Sequence, residues 1–124
     1  DNAGPSLREE ELKRLANILS PHGLRVHEIA ADGHCLYRSL AHQLCANSDA
    51  SSIDFQYCRK LAADYIRAHP DDFLPYLLAD HDFTEGLIES YCNQVESSNE
   101  WGGQLEITAI AHALRRTIVV YSAD

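Results

Sequence analysis

The chain lacks several features that would place it in common classes of protein. It contains no methionine, and no stretch of its 124 residues approaches the roughly 20 consecutive apolar residues that a membrane-spanning helix needs. Its first ten residues, DNAGPSLREE, lack the apolar core of a secretory signal. We therefore expect neither a membrane span nor a secretory signal. The missing initial methionine predicts a fragment or a processed piece of a longer protein.

Positive charge is also scarce. Ten Lys and Arg residues stand against 19 Asp and Glu residues, which gives a formal net charge of −9. Nucleic-acid-binding proteins need a positive surface, so this balance argues against a nucleic-acid partner. It fits a partner with a basic face, but an acidic surface can equally serve solubility alone. With 45% hydrophobic residues, the chain has enough apolar material for one folded domain.

The four cysteines form no CxxC pair, which argues against a zinc ribbon. A secretory signal is lacking, and the core is large enough to be stable without covalent cross-links. We therefore expect free thiols rather than disulfides. Four neighbouring His and Cys residues resemble metal ligands in type. On one continuous helix they cannot converge on a tetrahedral ion with bonds of about 2.0–2.3 Å, so we expect no metal site. These four are His34, Cys35, His42 and Cys45, and the other two cysteines are Cys58 and Cys92.

The spacing of apolar residues predicts a mainly helical chain with two strands. Capping boxes at Ser6–Glu9 and Asp82–Glu85 each predict the start of a helix. The β-branched run Thr117–Tyr121 is typical of a strand covered on both faces. The chain is predicted to begin with a helix to Leu19 and a strand over Leu24–Ile29. Five helices follow: one from Cys35, one from Asp54 to the residue before Pro70, one through Phe73 and Leu77, one from Asp82–Glu85 to Val95, and one over Gln104–Arg115. The strand Thr117–Tyr121 is last.

This order indicates an α/β fold, of the α+β kind, in which a small central sheet is flanked by helices. A buried last strand needs ladder partners, and one other clear strand is present. We therefore expect further strands in a longer parent protein. Residues 1–124 are then a single domain that is incomplete at its C-terminus.

The stretch ADGHCLYRSL, residues 31–40, places a cysteine directly after a tight turn and at the start of a helix. The first N–H groups of a helix have no partner within it, and the positive region they create favours a thiolate. Together with the Asp32–His34 turn, these groups can hold an oxyanion, each donor being worth about 3–4 kcal/mol. Gly33 suits the turn because it tolerates backbone angles that other residues resist. The pattern predicts a nucleophilic Cys35, with a buried structural thiol as the alternative.

A catalytic thiol needs a base within about 2.6–3.2 Å, and none of the seven histidines is well placed for that role. His34 is adjacent to Cys35, but the side chains of neighbouring residues diverge. His42 lies seven residues along the same helix, roughly 10 Å from the thiol. His112 precedes the last strand, and we expect a surface or packing role for it. The sequence thus predicts a nucleophile without an evident base.

Two separated segments carry a recognisable pattern. The first is DGHCLYR, residues 32–38, and the second is WGGQLE, residues 101–106. They resemble the nucleophile motif and the second block of the ovarian-tumour (OTU) family of deubiquitinating cysteine proteases. The run Asp72–Leu77 and the closing strand also look like this family. The resemblance is to the branch of OTU domain-containing proteins of type 6, and it covers nearly the whole chain from the first helix onward.

The resemblance implies the OTU fold and a cysteine-type deubiquitinase, which hydrolyses isopeptide bonds of ubiquitin conjugates through a thioester. The implied site consists of the nucleophile Cys35, the catalytic-centre residue Asp32, the oxyanion turn Gly33 and His34, and the site-shaping residues Trp101 and Glu106. The family uses no metal or cofactor. The implied partners are ubiquitin or polyubiquitin and ubiquitinated proteins in the cytoplasm, without nucleic acid or membrane.

The chain departs from the family pattern in one respect. The family's catalytic histidine lies in a block after the closing strand, and that block does not occur within these 124 residues. We therefore expect this chain alone to have little activity. The alternative function is a catalytically inactive fragment that serves as a ubiquitin-binding or interaction module.

Overall fold

The computed structural model describes residues 7–46 and 52–123, and these residues contain six α-helices. The chain divides into two compact units, one of residues 29–118 and the other of residues 1–28 with 119–124. The helices are α1 (Leu7–Leu19), α2 (Cys35–Ala46), α3 (Phe55–Ala68), α4 (Pro70–Asp80), α5 (Leu87–Ser97) and α6 (Gln104–Leu114). None of the described helices is both long and apolar enough to cross a membrane.

Helix α3 is the centre of the larger unit. One of its faces carries fully buried apolar side chains at helical spacing, and α2, α4, α5 and α6 pack against it. Small side chains on this face allow the neighbouring helices to approach closely. The buried apolar residues of α3 are Cys58, Ala62, Ala63 and Ile66. Because α2 and α6 both pack on α3, this helix supports both segments of the predicted site.

Asp54 caps α3, as the sequence predicts. Its backbone is extended, and its carboxylate Oδ1 accepts a hydrogen bond of 2.9 Å from the Tyr57 N–H. This contact satisfies one of the N–H groups that a helix start leaves unpaired.

We expect Asp54→Ala to lower the free energy of unfolding by about 1 kcal/mol, because the capping acceptor is lost. Urea denaturation followed by circular dichroism measures the change. Asp54→Asn is the matched control, since the amide oxygen can still accept the hydrogen bond. An equal loss in both variants would mean that the negative charge, and not the cap, stabilises the helix.

Helix α5 begins later than the sequence predicts. The capping box expected at Asp82–Glu85 is wrong, because the helix starts only at Leu87. Gly86 precedes it with φ of 78° and ψ of 13°, and the Leu87 N–H donates to the Thr84 carbonyl at 3.1 Å. The left-handed backbone at Gly86 interrupts the helical path, so helical bonding starts after it.

The predicted central sheet is also wrong. Neither Leu24–Ile29 nor Thr117–Tyr121 is a strand, and no strand occurs among the residues that the structure describes. Val119 and Val120 are 64% and 69% exposed, so the β-branched run is not covered on both faces. A strand is stable only beside a partner that completes its hydrogen-bond ladder, and β-propensity alone does not supply one.

The smaller unit contains α1 and a 3₁₀ turn over Ser20–His22. Its remaining described residues come directly before and directly after residues 29–118 in the sequence. Leu19 is the buried residue of α1. Arg8 and Glu28 form an exposed ion pair at 2.9 Å, and Gly23 ends the turn with φ of 70°. Ser6, the first residue of the capping box predicted at Ser6–Glu9, lies outside the described residues.

Candidate active site

Cys35 is the first residue of α2, which confirms the predicted helix start. Its thiol is free and half-buried. Asp32 organises the turn before it: the Asp32 carbonyl accepts from the Cys35 N–H at 3.1 Å, and the Asp32 Oδ1 accepts from the His34 N–H at 2.9 Å. A carboxylate that bonds the N–H two residues on forms an Asx turn. The cysteine therefore sits behind a turn that is hydrogen-bonded at two points.

The Asp32 carboxylate is held in its charged form. The His34 N–H and, after it, the Arg38 guanidinium lower the pKa of this carboxyl group, although partial desolvation opposes them. Arg38 Nη2 lies 3.2 Å from the second carboxylate oxygen, and the guanidinium stacks 4.6 Å from the centre of the Phe55 ring. The turn thus keeps its side-chain acceptor at neutral pH.

Gly33 is required for a reason that differs from the predicted one. Its φ is not in the left-handed region, where only Gly23, Gly86 and Arg115 lie among the described residues. A Cβ built on Gly33 would instead stand 1.6 Å from the Asn99 carbonyl oxygen. The turn before Cys35 therefore lies directly against the backbone that follows α5, and only a residue without a side chain allows this approach.

Gly102 joins the second segment to α2. A Cβ on Gly102 would meet Leu36 Cδ2 at 2.6 Å and the Tyr37 hydroxyl at 2.9 Å, so this glycine packs on the first turn of α2. Trp101 itself is 62% exposed. The indole therefore forms part of the surface beside the start of α2 and is not buried under it.

Glu106 connects α5 and α6 from a buried position, with 4% of its surface exposed. Its Oε1 accepts from the Gly103 N–H at 2.8 Å, and its Oε2 accepts a short hydrogen bond from the Tyr91 hydroxyl. Burial, followed by the bond to Glu106, raises the pKa of Tyr91, so the phenol stays a donor. The carboxylate therefore holds the turn that leads into α6.

Arg59 is a site residue that the sequence analysis missed. It is 1% exposed on α3, where the pattern alone predicts an apolar stripe. Its guanidinium donates to the carbonyls of Gly33 at 2.9 Å, Val95 at 2.7 Å and Glu100 at 2.6 Å, and its Nε donates to His34 Nδ1 at 2.9 Å. No local signal in the sequence indicated this role, because a charged residue beside the apolar positions of a helix is ordinarily exposed.

The His34 ring is fixed between Arg59 and Phe55. Its centroid lies 4.2 Å from that of Phe55, with the ring planes 32° apart. Because Nδ1 accepts from Arg59, the proton of the neutral ring is on Nε2. The side chain of His34, and not only its backbone, is thus part of the structure around the turn.

No histidine in the described part of the chain forms a hydrogen bond with the Cys35 thiol. His69 and His112 each stack on the Tyr65 ring, at 4.1 Å and 5.9 Å between centroids. His69 also contacts the Tyr65 carbonyl at 3.0 Å. The expected surface or packing role of His112 is confirmed, because this exposed residue stacks on Tyr65. The described residues present no hydrogen-bonded base to Cys35.

A cavity of about 460 Å³ opens beside the turn. Its lining includes His34, Phe55 and Arg59 and the residues Ser97–Asn99.

No group of His, Cys, Asp and Glu among the described residues has the arrangement of a metal site.

The remaining cysteines have other surroundings. Cys58 and Cys92 are fully buried, and burial raises the pKa of each thiol to about 11. Cys45 is half-buried at the far end of α2, where its thiol donates to the Ile53 carbonyl at 3.4 Å. The three differ from Cys35 in that none is the first residue of a helix.

We expect the free energy of unfolding to fall as pH rises from about 9 to about 11, by roughly 2 kcal/mol for each buried thiol. The unfolded chain releases the Cys58 and Cys92 protons near pH 9, whereas the folded chain keeps them to about pH 11. Urea denaturation at pH 7, 9 and 10.5 measures the fall. Cys58→Ala should reduce this pH dependence and Cys45→Ala should leave it unchanged. Equal slopes in all three proteins would contradict the assignment.

Comparison with known proteins agrees with this geometry. The family model described as OTU-like cysteine protease matches residues 30–124. The chain therefore belongs to the family of OTU-like cysteine proteases.

Within the family, the chain resembles the OTUD6 type. It is 36% identical over 120 residues to Deubiquitinase OTUD6B of Xenopus laevis, a match that covers 94% of this chain and 40% of that protein. It is 33% identical over 118 residues to Ubiquitin thioesterase otu2 of Schizosaccharomyces pombe, which covers 95% of this chain and 39% of the relative. The chain thus spans about 40% of the length of these relatives.

A solved structure shows the same fold. The OTU domain of OTUD1 superposes with a TM-score of 0.67 at 22% sequence identity, over 85% of this chain and 63% of that one. The OTU fold expected from the sequence is supported in this way, while the central sheet expected with it is absent from the described residues.

Proposed function

We propose that this chain is the nucleophile-bearing part of a cysteine-type deubiquitinase that hydrolyses isopeptide bonds of ubiquitin conjugates. The observation that carries the proposal is the position of Cys35, half-buried at the first residue of α2 behind a hydrogen-bonded turn. A helix start stabilises a sulfur anion. The names of the relatives, a deubiquitinase and a ubiquitin thioesterase, supply the substrate class.

In the proposed reaction, the Cys35 sulfur forms a bond to the carbonyl carbon of the isopeptide, and the carbonyl electron pair moves to the oxygen. When the carbonyl re-forms, the bond to the lysine nitrogen breaks, and the amine leaves with a proton from the protonated base. Water then attacks the thioester, which releases the ubiquitin carboxylate and restores the thiol. No metal or cofactor takes part in these steps.

The oxyanion turn is proposed at Gly33 and His34, with Asp32 in the catalytic centre. The N–H groups of His34 and Cys35 now donate to Asp32. To stabilise an oxyanion, these two N–H groups would have to donate to the substrate oxygen instead. Before substrate binds, Asp32 keeps them aligned. Trp101 is proposed to shape the surface that receives the substrate, and Glu106 to brace the turn that carries it.

The base must reach Cys35 from outside the described residues, because none of their histidines forms a hydrogen bond with the thiol. We place the base in a longer protein, in keeping with the greater length of the relatives. The same observation favours a second candidate function for these 124 residues, that of an inactive ubiquitin-binding module. We propose the cytoplasm as the place of action, as the resemblance implies.

Ubiquitin with an electrophile at its C-terminus tests the two functions. We expect a single adduct on Cys35 in the longer protein and little or none in the 124-residue chain. Cys35→Ala should abolish the adduct, while Cys45→Ala, which removes an equally half-buried thiol of α2, should not change it. No adduct on Cys35 in the longer protein would contradict the nucleophile. Efficient cleavage of ubiquitin chains by the 124 residues would contradict the missing base.

A small alkylating reagent tests the third possibility, a structural Cys35. We expect Cys35 to react about tenfold faster than Cys45 at pH 7, because they lie at opposite ends of the α2 dipole. Peptide mapping by mass spectrometry separates the two rates. Equal rates would favour a structural thiol.

A further inference from the structure

The peptide between Gly33 and His34 is held at both of its ends. Its carbonyl accepts from Arg59 Nη2 at 2.9 Å, and its N–H donates to Asp32 Oδ1 at 2.9 Å. In a trans peptide these two groups point in opposite directions, and the structure has no cis peptide in its described part. The Arg59 guanidinium thus fixes the carbonyl of this peptide, and the Asp32 carboxylate fixes its N–H.

This peptide leads directly into Cys35. Rotation of its plane would break both hydrogen bonds and would change the backbone angles from which the cysteine side chain departs. The His34 ring adds a third point of attachment, because its Nδ1 accepts from the same guanidinium. Arg59 therefore acts on the residue before the proposed nucleophile through both its backbone and its side chain.

Arg59 is unusual for a buried cation. It is 1% exposed, and no carboxylate of the described residues lies within ion-pair distance of it. Burying a charge without a counter-charge is unfavourable unless its hydrogen bonds are satisfied. Its partners are carbonyls at the end of α5, in the following loop and in the nucleophile turn, and its guanidinium lies 4.3 Å over the Tyr37 ring. An apolar residue at this position would leave those carbonyls unpaired.

We propose that Arg59 is a positioning residue for Cys35: with Asp32, it clamps the Gly33–His34 peptide in the orientation that presents the thiol. The proposal rests on the proposed function in treating Cys35 as the nucleophile. It adds that the reactivity of this thiol depends on a buried arginine of α3 that does not touch the substrate. The same guanidinium also donates to the Glu100 carbonyl, directly before the second segment.

The test compares Arg59→Gln and Arg59→Lys with Arg67→Gln in the full chain. Arg67 lies two turns further along α3 and pairs with Glu96, so it controls for the loss of a cation from this helix. Two quantities are measured at pH 7: the alkylation rate of each cysteine with iodoacetamide and the hydrogen exchange of the His34 amide. Neither measurement uses ubiquitin, so failure of the clamp is distinct from failure of the deubiquitinase assignment.

We expect Arg59→Gln to slow alkylation of Cys35 and to speed exchange at the His34 amide, each about tenfold, which is the effect of losing one hydrogen bond to a charged group. Cys58 and Cys92 should stay protected, since a helix core without the clamp still buries them. Arg59→Lys should recover part of both effects, because an ammonium group can replace some of the bonds but lacks the planar fork. Arg67→Gln should change neither quantity.

Asp32→Ala provides a second, independent measurement. Asp32 and Arg59 hold the same peptide. The double variant Asp32→Ala with Arg59→Gln should therefore slow the alkylation of Cys35 little more than the stronger single variant does. Additive effects would overturn the shared clamp. Unchanged alkylation of Cys35 in Arg59→Gln would also overturn the proposal. So would faster alkylation of Cys58 and Cys92 in the same variant, because Arg59 would then stabilise the core without a specific effect on Cys35.

Discussion

Gly33→Ala is expected to reduce the labelling of Cys35 by the ubiquitin electrophile by about a hundredfold in the longer protein. The added Cβ would stand 1.6 Å from the Asn99 carbonyl oxygen, whereas real Cβ contacts essentially never fall below 3.0 Å. The obstacle is backbone, so the nucleophile turn and the loop after α5 must separate. A displacement on the order of 1 Å at a reacting group can cost about 10²-fold in rate.

Gly103→Ala is the matched control for this prediction. Gly103 lies in the second segment of the same site, has an extended backbone (φ −142°) and leaves its added Cβ 3.9 Å from Glu106 Oε1. We expect Cys35 labelling close to that of the unchanged protein. Iodoacetamide mapping of Cys58 and Cys92 reports whether each variant keeps its core. Full labelling of Gly33→Ala with a protected core would mean that contact with Asn99 does not position the turn.

Glu106→Ala is expected to lower the free energy of unfolding by roughly 3–5 kcal/mol. The variant removes a buried carboxylate that accepts from the Gly103 N–H and the Tyr91 hydroxyl, and hydrogen bonds to charged groups contribute about 1.5–3 kcal/mol each. It also removes the acceptor of two donors, the partly buried Tyr91 hydroxyl and the exposed Gly103 N–H. Urea denaturation measures the loss.

Two further variants make this prediction specific. Glu106→Gln keeps one oxygen acceptor, so we expect a smaller loss of roughly 1–2 kcal/mol. Glu85→Ala removes an exposed carboxylate before α5 and should change stability by about 0.5 kcal/mol or less. Similar losses in Glu106→Ala and Glu85→Ala would show that the buried hydrogen bonds do not stabilise the unit. Because Glu106 holds the turn into α6, its loss should also slow labelling of Cys35.

Local patterns predicted most of the helices and the position of the proposed nucleophile at a helix start. The start of α2 at Cys35, the Asp54 cap and the end of α3 before Pro70 follow from residues within a few positions of each other. The break before α5 was missed, because the capping box at Asp82 and the glycine at Gly86 give opposite local signals. The sheet was wrong because the partners of a strand are not encoded in the strand itself.

The candidate site divides in the same way. The motif around Asp32 and Cys35 could be found from the sequence, since its turn and helix start are local. The clamp by Arg59 could not, because it joins atoms 26 residues apart in the chain and depends on how α3 packs. The reason for Gly33 was also non-local, since its close neighbour is Asn99.

By itself, the amino-acid sequence determined most of the segments that become helices, the position of the proposed nucleophile at the start of α2 and the family to which the motifs belong. These properties depend on neighbouring residues, whose spacing sets hydrogen bonds within one turn. Only the tertiary structure decided that a buried arginine holds the peptide before Cys35, and that the Asn99 backbone lies against Gly33. Those properties depend on distances between separate elements, which packing around α3 sets.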